Sequence, residues 1–168
     1  MPIHSDAECM WGAGVMCLLG KKLDVQNVLH SIQGGNETLN CDFLIDGDAY
    51  EYDEKYYHEK NDRDIRKTEK LLRKVGKVVR MRRGADSLNI TNNRYVEIRC
   101  DSYKTIDQLR STAESLNLPF MDENSMRHTI QCGKDAFRHI DQRTKTALKT
   151  LSDQFGETVL GDPHGLDL

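Results

Sequence analysis

Hydrophobic positions recur along this chain at two spacings, which predict helices and strands respectively. Apolar residues three and four apart predict amphipathic helices, and short apolar or β-branched runs between turn residues predict strands. The predicted helices cover residues 5–19, 61–75, 105–116 and 135–155. The predicted strands cover residues 41–45, 48–53, 77–82 and 95–100. Residues 25–32 fit a strand or a short helix, residues 33–40 are expected to form a loop, and the last dozen residues a loose tail.

Local signals sharpen some of these boundaries. Ser5 is suited to cap the first helix, although Gly12 and Gly14 inside that helix are unfavourable. The dipeptide Asp46-Gly47 predicts a two-residue type I′ turn that joins two strands into a hairpin. Gly76 stands where a residue in the left-handed conformation would end the helix 61–75.

The resulting order is helix, hairpin, helix, strand, strand, helix, helix. It predicts an α/β fold in which a small mixed β-sheet is flanked by helices. The segment 49–82 contains a strand, a helix and a second strand that can form a right-handed crossover. We expect a core over residues 1–120, with its motif region at 41–84, and a C-terminal helical extension with a loose tail over residues 121–168.

Composition argues against several classes of protein. A hydrophobic fraction of 38% in 168 residues supplies a modest core, and no uncharged apolar run is long enough to span a membrane. Acidic rather than basic residues precede the apolar run 10–20, which argues against a signal peptide. Five cysteines without a CxxC pair favour a reducing compartment, so a cytoplasmic location is expected.

The net charge of −3 conceals a basic segment. Residues 55–83 contain twelve Lys and Arg against four Asp and Glu, and the rest of the chain is acidic. Such a segment can bind a polyanion, although a solvated helix face would have the same composition.

Three carboxylates are predicted to converge on the hairpin. A two-residue turn places Asp42 directly opposite Glu51, and the alternation of a strand places Glu51 and Asp53 on one face. Like charges this close favour a bound cation, and oxygen ligands alone suit Mg²⁺ or Mn²⁺. A turn longer by one residue would instead leave these acids as ordinary edge-strand charges.

Two further groups stand next to this cluster. His58 lies between the acidic hairpin and the basic helix, where it could take a proton from a water that attacks a phosphodiester. Asp64 and Lys67 share one helix face near its start; an exposed salt bridge is the simpler explanation for that pair.

The segment 41–84 resembles the very-short-patch-repair-like branch of the PD-(D/E)XK nuclease superfamily, which includes the EDxHD homing endonucleases and small phage and bacterial nucleases. The resemblance covers 44 residues, CDFLIDGDAYEYDEKYYHEKNDRDIRKTEKLLRKVGKVVRMRRG. Its ordered elements are Asp42-Phe43, Glu51-Tyr52-Asp53, Tyr56-Tyr57-His58, Asp64 with Lys67, and Arg80-Met81-Arg82.

The resemblance implies a PD-(D/E)XK nuclease-like core with extra C-terminal helices. It also implies catalytic roles for His58, Asp64 and Lys67, with Glu8 as the matching acid on the N-terminal helix. The chain departs from the family in three ways: Glu54 replaces the usual Gly, the zinc-binding cysteines and histidine have no counterpart, and Asp53 occupies the position of the ExK lysine.

The leading prediction is a metal-dependent DNA endonuclease of homing, restriction or phage-conflict type. Its metal ligands would be Asp42, Glu51 and Asp53, and its phosphate contacts Arg66, Lys74, Arg80, Arg82 and Arg83. DNA is the expected partner, a homodimer is considered, and the setting would be a bacterial or phage-infected cell. The alternatives are an inactive DNA-binding or regulatory protein on the same fold, and a protein-interaction module that uses the C-terminal helices.

Overall fold

A computed structural model describes residues 5–21, 28–34, 37–54 and 61–136. For residues 28–34 and 37–40 it describes the backbone alone. A further helix, α4, covers residues 123–136 at the end of the described part. The other elements are α1 (Asp6–Leu18), β1 (Val28–Gly34), β2 (Glu37–Ile45), β3 (Asp48–Glu54), α2 (Asn61–Leu72), β4 (Val78–Arg83), β5 (Tyr95–Cys100) and α3 (Thr105–Ser115).

The five strands form one mixed sheet in the order β1-β2-β3-β4-β5. The pairs β1–β2 and β2–β3 are antiparallel, and the pairs β3–β4 and β4–β5 are parallel. The predicted α/β class with a small mixed sheet and flanking helices is therefore confirmed. The parallel β3–β4 pair also agrees with the predicted crossover through the helix that follows β3.

The hairpin between β2 and β3 has the predicted two-residue turn. Asp46 and Gly47 have positive φ angles of 51° and 81°, as a type I′ turn requires. The register pairs Ile45 with Asp48 and Phe43 with Tyr50, which are the predicted pairs. This turn fixes which side chains of β3 face each side of the sheet.

Helix α1 packs closely against the sheet and α3 because two of its positions are glycine. A Cβ atom added to Gly12 would lie 2.4 Å from Phe43 Cζ, and one added to Gly14 would lie 2.2 Å from Leu109 Cδ1. Ser5 caps this helix as predicted, since its hydroxyl accepts a hydrogen bond from the Glu8 N–H at 3.2 Å. The glycines that lower helix propensity therefore permit the approach of neighbouring elements.

Trp11 is the centre of the larger core, on the α1 and α3 side of the sheet. Its side chain is fully buried, and its indole N–H donates to Thr112 Oγ1 at 3.1 Å. The rings of Phe43, Tyr50 and Tyr52 lie around it at centroid distances of 5.8–6.4 Å. A smaller apolar cluster, which includes Leu71, Leu72 and Val78, lies under α2.

Two sequence predictions are corrected by the structure, and one further helical segment is found. Residues 33–40 are not a loop, because β1 continues to Gly34 and β2 begins at Glu37. Helix α2 ends at Leu72, and Gly76 is not among the glycines with positive φ; its N–H instead donates to the Gly47 carbonyl at 2.9 Å. Residues 123–134, for which no element is predicted, are helical; of the predicted helix 135–155, residues 135 and 136 are helical and the rest lies outside the described residues.

The described part of the C-terminal extension, residues 121–136, packs on the core. Met126 and Ile130 of α4 belong to the same buried cluster as Trp11, and Lys134 lies 3.6 Å from Asp6 of α1. None of the helices in the described ranges is long and apolar enough to cross a membrane. All five cysteines are free thiols.

Candidate active site

Strand β3 carries two buried carboxylates toward α2. Because side chains alternate along a strand, Tyr50 and Tyr52 point to the Trp11 core, whereas Glu51 and Asp53 point to the other face. Glu51 is 3% exposed and Asp53 is fully buried. Charged groups at such depth require partners, and the two acids have different ones.

Glu51 forms an ion pair with Lys67 of α2. Lys67 Nζ lies 2.9 Å from Glu51 Oε1, within ion-pair distance. Burial raises the pKa of Glu51 to about 8, although the ammonium group of Lys67 opposes this rise. Burial alone would lower the pKa of Lys67, but the charges of Glu51 and Asp42 raise it above its ordinary value.

Asp42 completes this group from β2. The backbone register of β2 and β3 stops at the Phe43–Tyr50 pair, so the predicted direct pairing of Asp42 with Glu51 is not formed. Asp42 Oδ2 instead accepts a hydrogen bond from the Tyr52 N–H at 2.8 Å. The charge of Asp42 also contributes to the raised pKa values of Glu51 and Lys67. We call Asp42, Glu51 and Lys67 the carboxylate–lysine cluster.

Asp53 belongs to a second group, which we call the arginine network: Asp53, Asp64, Arg80 and Arg82. Asp53 accepts hydrogen bonds from Arg80 Nε and Arg82 Nη1, both at 2.9 Å, and from Arg80 Nη2 at 3.1 Å. Asp64 of α2 lies 3.2 Å from Arg80 Nη2 and 3.1 Å from Arg82 Nη1. The network joins β3, β4 and α2.

The five residues predicted to contact phosphate occupy two different environments. Arg80 and Arg82 are at most 1% exposed because they bind Asp53 and Asp64, so they do not form a DNA-facing surface. Arg83 is 7% exposed, pairs with Glu54 at 3.1 Å, and stacks on the Tyr103 ring at 3.8 Å. Arg66 and Lys74 are exposed, on α2 and in the turn that follows it.

Glu8, one of the predicted catalytic residues, lies apart from the carboxylate–lysine cluster. Glu8 lies in the first turn of α1, where its charge contributes to the raised pKa of Tyr52, on the Trp11 side of the sheet. His58 lies outside the described residues. Within the described ranges, no group of three or more His, Cys, Asp or Glu side chains is placed to hold a metal ion.

The arginine network and Cys41 are the features that sequence reasoning missed. Arg80 and Arg82 alternate with Val79 and Met81 along β4, and both faces of this strand are buried. Treating β4 as a strand buried on both faces would have predicted that these arginines lie in the interior. Cys41 is buried next to the cluster; burial first, then Glu51 and Asp42, raise the pKa of its thiol, which therefore stays protonated.

Comparison with known proteins gives no relative. No family model, no curated protein and no solved structure matches this chain. A function must therefore be argued from the chemistry of the two groups on β3.

Proposed function

We propose that this protein is a Mg²⁺- or Mn²⁺-dependent DNA endonuclease whose active site is the carboxylate–lysine cluster. The observation that carries the proposal is Glu51. It is a buried carboxylate with a pKa raised to about 8, and it lies beside a second acid and the ammonium group of Lys67. Such an arrangement costs stability, and strongly perturbed carboxylates cluster at functional sites.

The donor atoms of the cluster suit a hard divalent cation. Asp42 and Glu51 supply carboxylate oxygens from adjacent strands, and Mg²⁺ is commonly held by one or two carboxylates together with water and substrate phosphate. Asp53 was predicted as a third ligand, but its oxygens already accept three hydrogen bonds from arginines. We therefore assign Asp53 and Asp64 to positioning α2 rather than to binding metal. A cation at Asp42 and Glu51 would polarise the phosphodiester and acidify a water.

Lys67 is proposed to stabilise the negative charge that develops on the phosphate during cleavage. Its side chain is 29% exposed, so it can reach a substrate while it stays next to Glu51. Arg80 holds this part of α2 in place, since it pairs with Asp64 and donates to Thr68 Oγ1 at 3.1 Å. Asp64 and Thr68 lie on either side of Lys67 in the sequence, so these contacts fix the position of its ammonium group.

The remaining predicted roles, except that of Glu8, stay part of the proposal. His58 is the proposed general base, whereas Glu8, the acid that the family resemblance implies, lies on the Trp11 side of the sheet and is left out of this site. Arg66 and Lys74 are the exposed cations that would contact DNA phosphates, and such contacts orient a duplex without reading its sequence. The expected setting is the cytoplasm of a bacterial or phage-infected cell.

The test is cleavage of supercoiled plasmid and of a defined duplex with Mg²⁺, with Mn²⁺ and with EDTA. We expect nicking or cutting only with metal, and loss of at least about 100-fold in rate for Asp42→Asn and Lys67→Ala. Asp62→Asn is the matched control, because Asp62 is an exposed acid in the first turn of α2. Cleavage at the wild-type rate by Asp42→Asn would show that the metal site is wrong.

A DNA-binding protein without nuclease activity is the second candidate. It is favoured by Asp53, which stands at the family's catalytic strand and is fully engaged by two arginines. Salt-dependent DNA binding by wild-type protein without cleavage in either metal would support this candidate over the nuclease.

A further inference from the structure

An open cleft of about 710 Å³ lies between α2 and the segment 84–94, away from the carboxylate–lysine cluster. Its floor is formed by the aliphatic side chains of Ile65, Leu72, Leu88 and Ile90. Its rim is polar, with two arginines, one glutamate, two asparagines and a threonine. Six of the ten lining residues are polar, so the cleft suits a ligand that has a flat apolar part and several polar groups.

The walls of the cleft are fixed by hydrogen bonds from three directions. Arg82 Nε donates to the Asp86 carbonyl at 2.8 Å, which ties the segment to the arginine network. The Leu88 N–H donates to Glu97 Oε1 at 2.8 Å, and Arg94 Nη1 donates to the Val75 carbonyl at 3.1 Å. A cleft whose walls are held in this way is formed before a ligand arrives, which lowers the entropic cost of binding.

Two polar side chains at the rim, those of Arg73 and Asn89, can form hydrogen bonds with a ligand. Among the residues that the structure describes, the guanidinium of Arg73 and the side-chain amide of Asn89 make no hydrogen bond or ion pair. Asn89 has a φ angle of 53°, a left-handed conformation that an Asn tolerates better than most residues. Arg94 adds a second positive charge, and Glu69 a single negative one.

We propose that this cleft binds a nucleoside monophosphate unit. The planar base would lie on the aliphatic floor, and the amide of Asn89 can both donate to and accept from a base edge. Arg73 and Arg94 would bind the phosphate, for which the guanidinium fork is well suited. The unit is either a free nucleotide or an unpaired nucleotide of a DNA strand. The site lies beyond the proposed endonuclease chemistry, because binding there requires neither metal nor cleavage.

The test measures binding by the full-length protein in EDTA, so that no cleavage occurs. The four deoxynucleoside monophosphates are titrated by calorimetry, with inorganic phosphate for comparison. A duplex with one unpaired nucleotide is compared with its fully paired counterpart. We expect saturable binding of at least one mononucleotide, or a preference of about tenfold for the unpaired duplex. The first result identifies a free nucleotide as the ligand, and the second identifies DNA.

The variants separate the cleft from general electrostatic attraction. Arg73→Ala and Asn89→Gly should each weaken the observed binding about tenfold, and glycine keeps the left-handed backbone of residue 89. Arg63→Ala removes an exposed arginine of α2 that does not line the cleft, and should leave affinity within about twofold. The proposal is overturned if no mononucleotide binds more tightly than inorganic phosphate and the two duplexes bind equally. Wild-type affinity in Arg73→Ala would overturn it as well. Neither result depends on nuclease activity.

Discussion

Two acids on the same face of β3, Glu51 and Asp53, show how differently neighbouring carboxylates can be accommodated. Asp53 accepts three hydrogen bonds from arginines, so its negative charge is balanced where it is buried. Glu51 pairs with Lys67, and burial raises its pKa to about 8 although the charges of Lys67 and Arg80 oppose this rise. One position therefore contributes to the fold, and the other is held at a cost in free energy.

Glu51→Gln is expected to stabilise the metal-free protein while it removes the proposed nuclease activity. The pKa of Glu51 rises from 4.5 to about 8 on folding, so the folded state binds its proton more tightly. The free energy of unfolding therefore falls as the pH rises through that interval, and glutamine lacks this penalty. Urea unfolding in EDTA should show a gain of about 1–3 kcal/mol near pH 8 and little near pH 5. A loss at both pH values would mean that Glu51 stabilises the fold.

Asp53→Asn is expected to have the opposite effect. Asparagine cannot balance Arg80 and Arg82, which are buried and would keep Asp64 but lose the carboxylate of Asp53. Removing one partner of a buried ion pair costs about 3–5 kcal/mol. Urea unfolding of Asp53→Asn beside the exposed control Asp62→Asn measures this cost. A change below about 0.5 kcal/mol would contradict the structural role assigned to Asp53.

At the scale of elements, the close packing of α1 depends on glycines that its helical propensity disfavours. Gly12→Ala and Gly14→Ala should each destabilise the protein by about 1–3 kcal/mol, because the added Cβ would overlap Phe43 or Leu109. Gly20→Ala has nothing within 4 Å and should cost only about 1 kcal/mol, from its φ of 69°. Thermal unfolding of the three variants checks this order. Equal destabilisation by all three substitutions would show that overlap with Phe43 and Leu109 is not the cause.

Local patterns predicted the elements better than the contacts between them. The Asp46-Gly47 turn fixed the register of the hairpin, and the apolar spacing located α2 and α3, because these features depend on neighbouring residues. The strand at 37–40 was not predicted because its sequence is polar, like that of a loop, and its strand structure depends on pairing with β1. The burial of Arg80 and Arg82 depends on carboxylates from β3 and α2, which no window along β4 contains.

At the scale of the whole molecule, the basic groups of the described residues divide into buried and exposed sets, and the exposed set is the one that can contact a polyanion. Arg66→Ala combined with Lys74→Ala should weaken DNA binding almost uniformly across sequences. The slope of log affinity against log salt should become shallower by about two. Fluorescence anisotropy at several salt concentrations measures both. Arg110→Ala with Arg127→Ala is the charge-matched control, since these arginines pair with Glu123 of α4. An equal change in slope for the control would show that DNA does not bind specifically at the surface of Arg66 and Lys74.

The order of strands in the sheet has a consequence for how the chain folds. Each strand pairs with the strand next to it in the sequence, so the sheet can grow one strand at a time as the chain is synthesised. The core around Trp11 instead joins distant parts of the chain, because the Trp11 indole N–H donates to Thr112, 101 positions away. Trp11 is the only tryptophan of the chain, so its fluorescence will report the packing of α1 against both the sheet and α3.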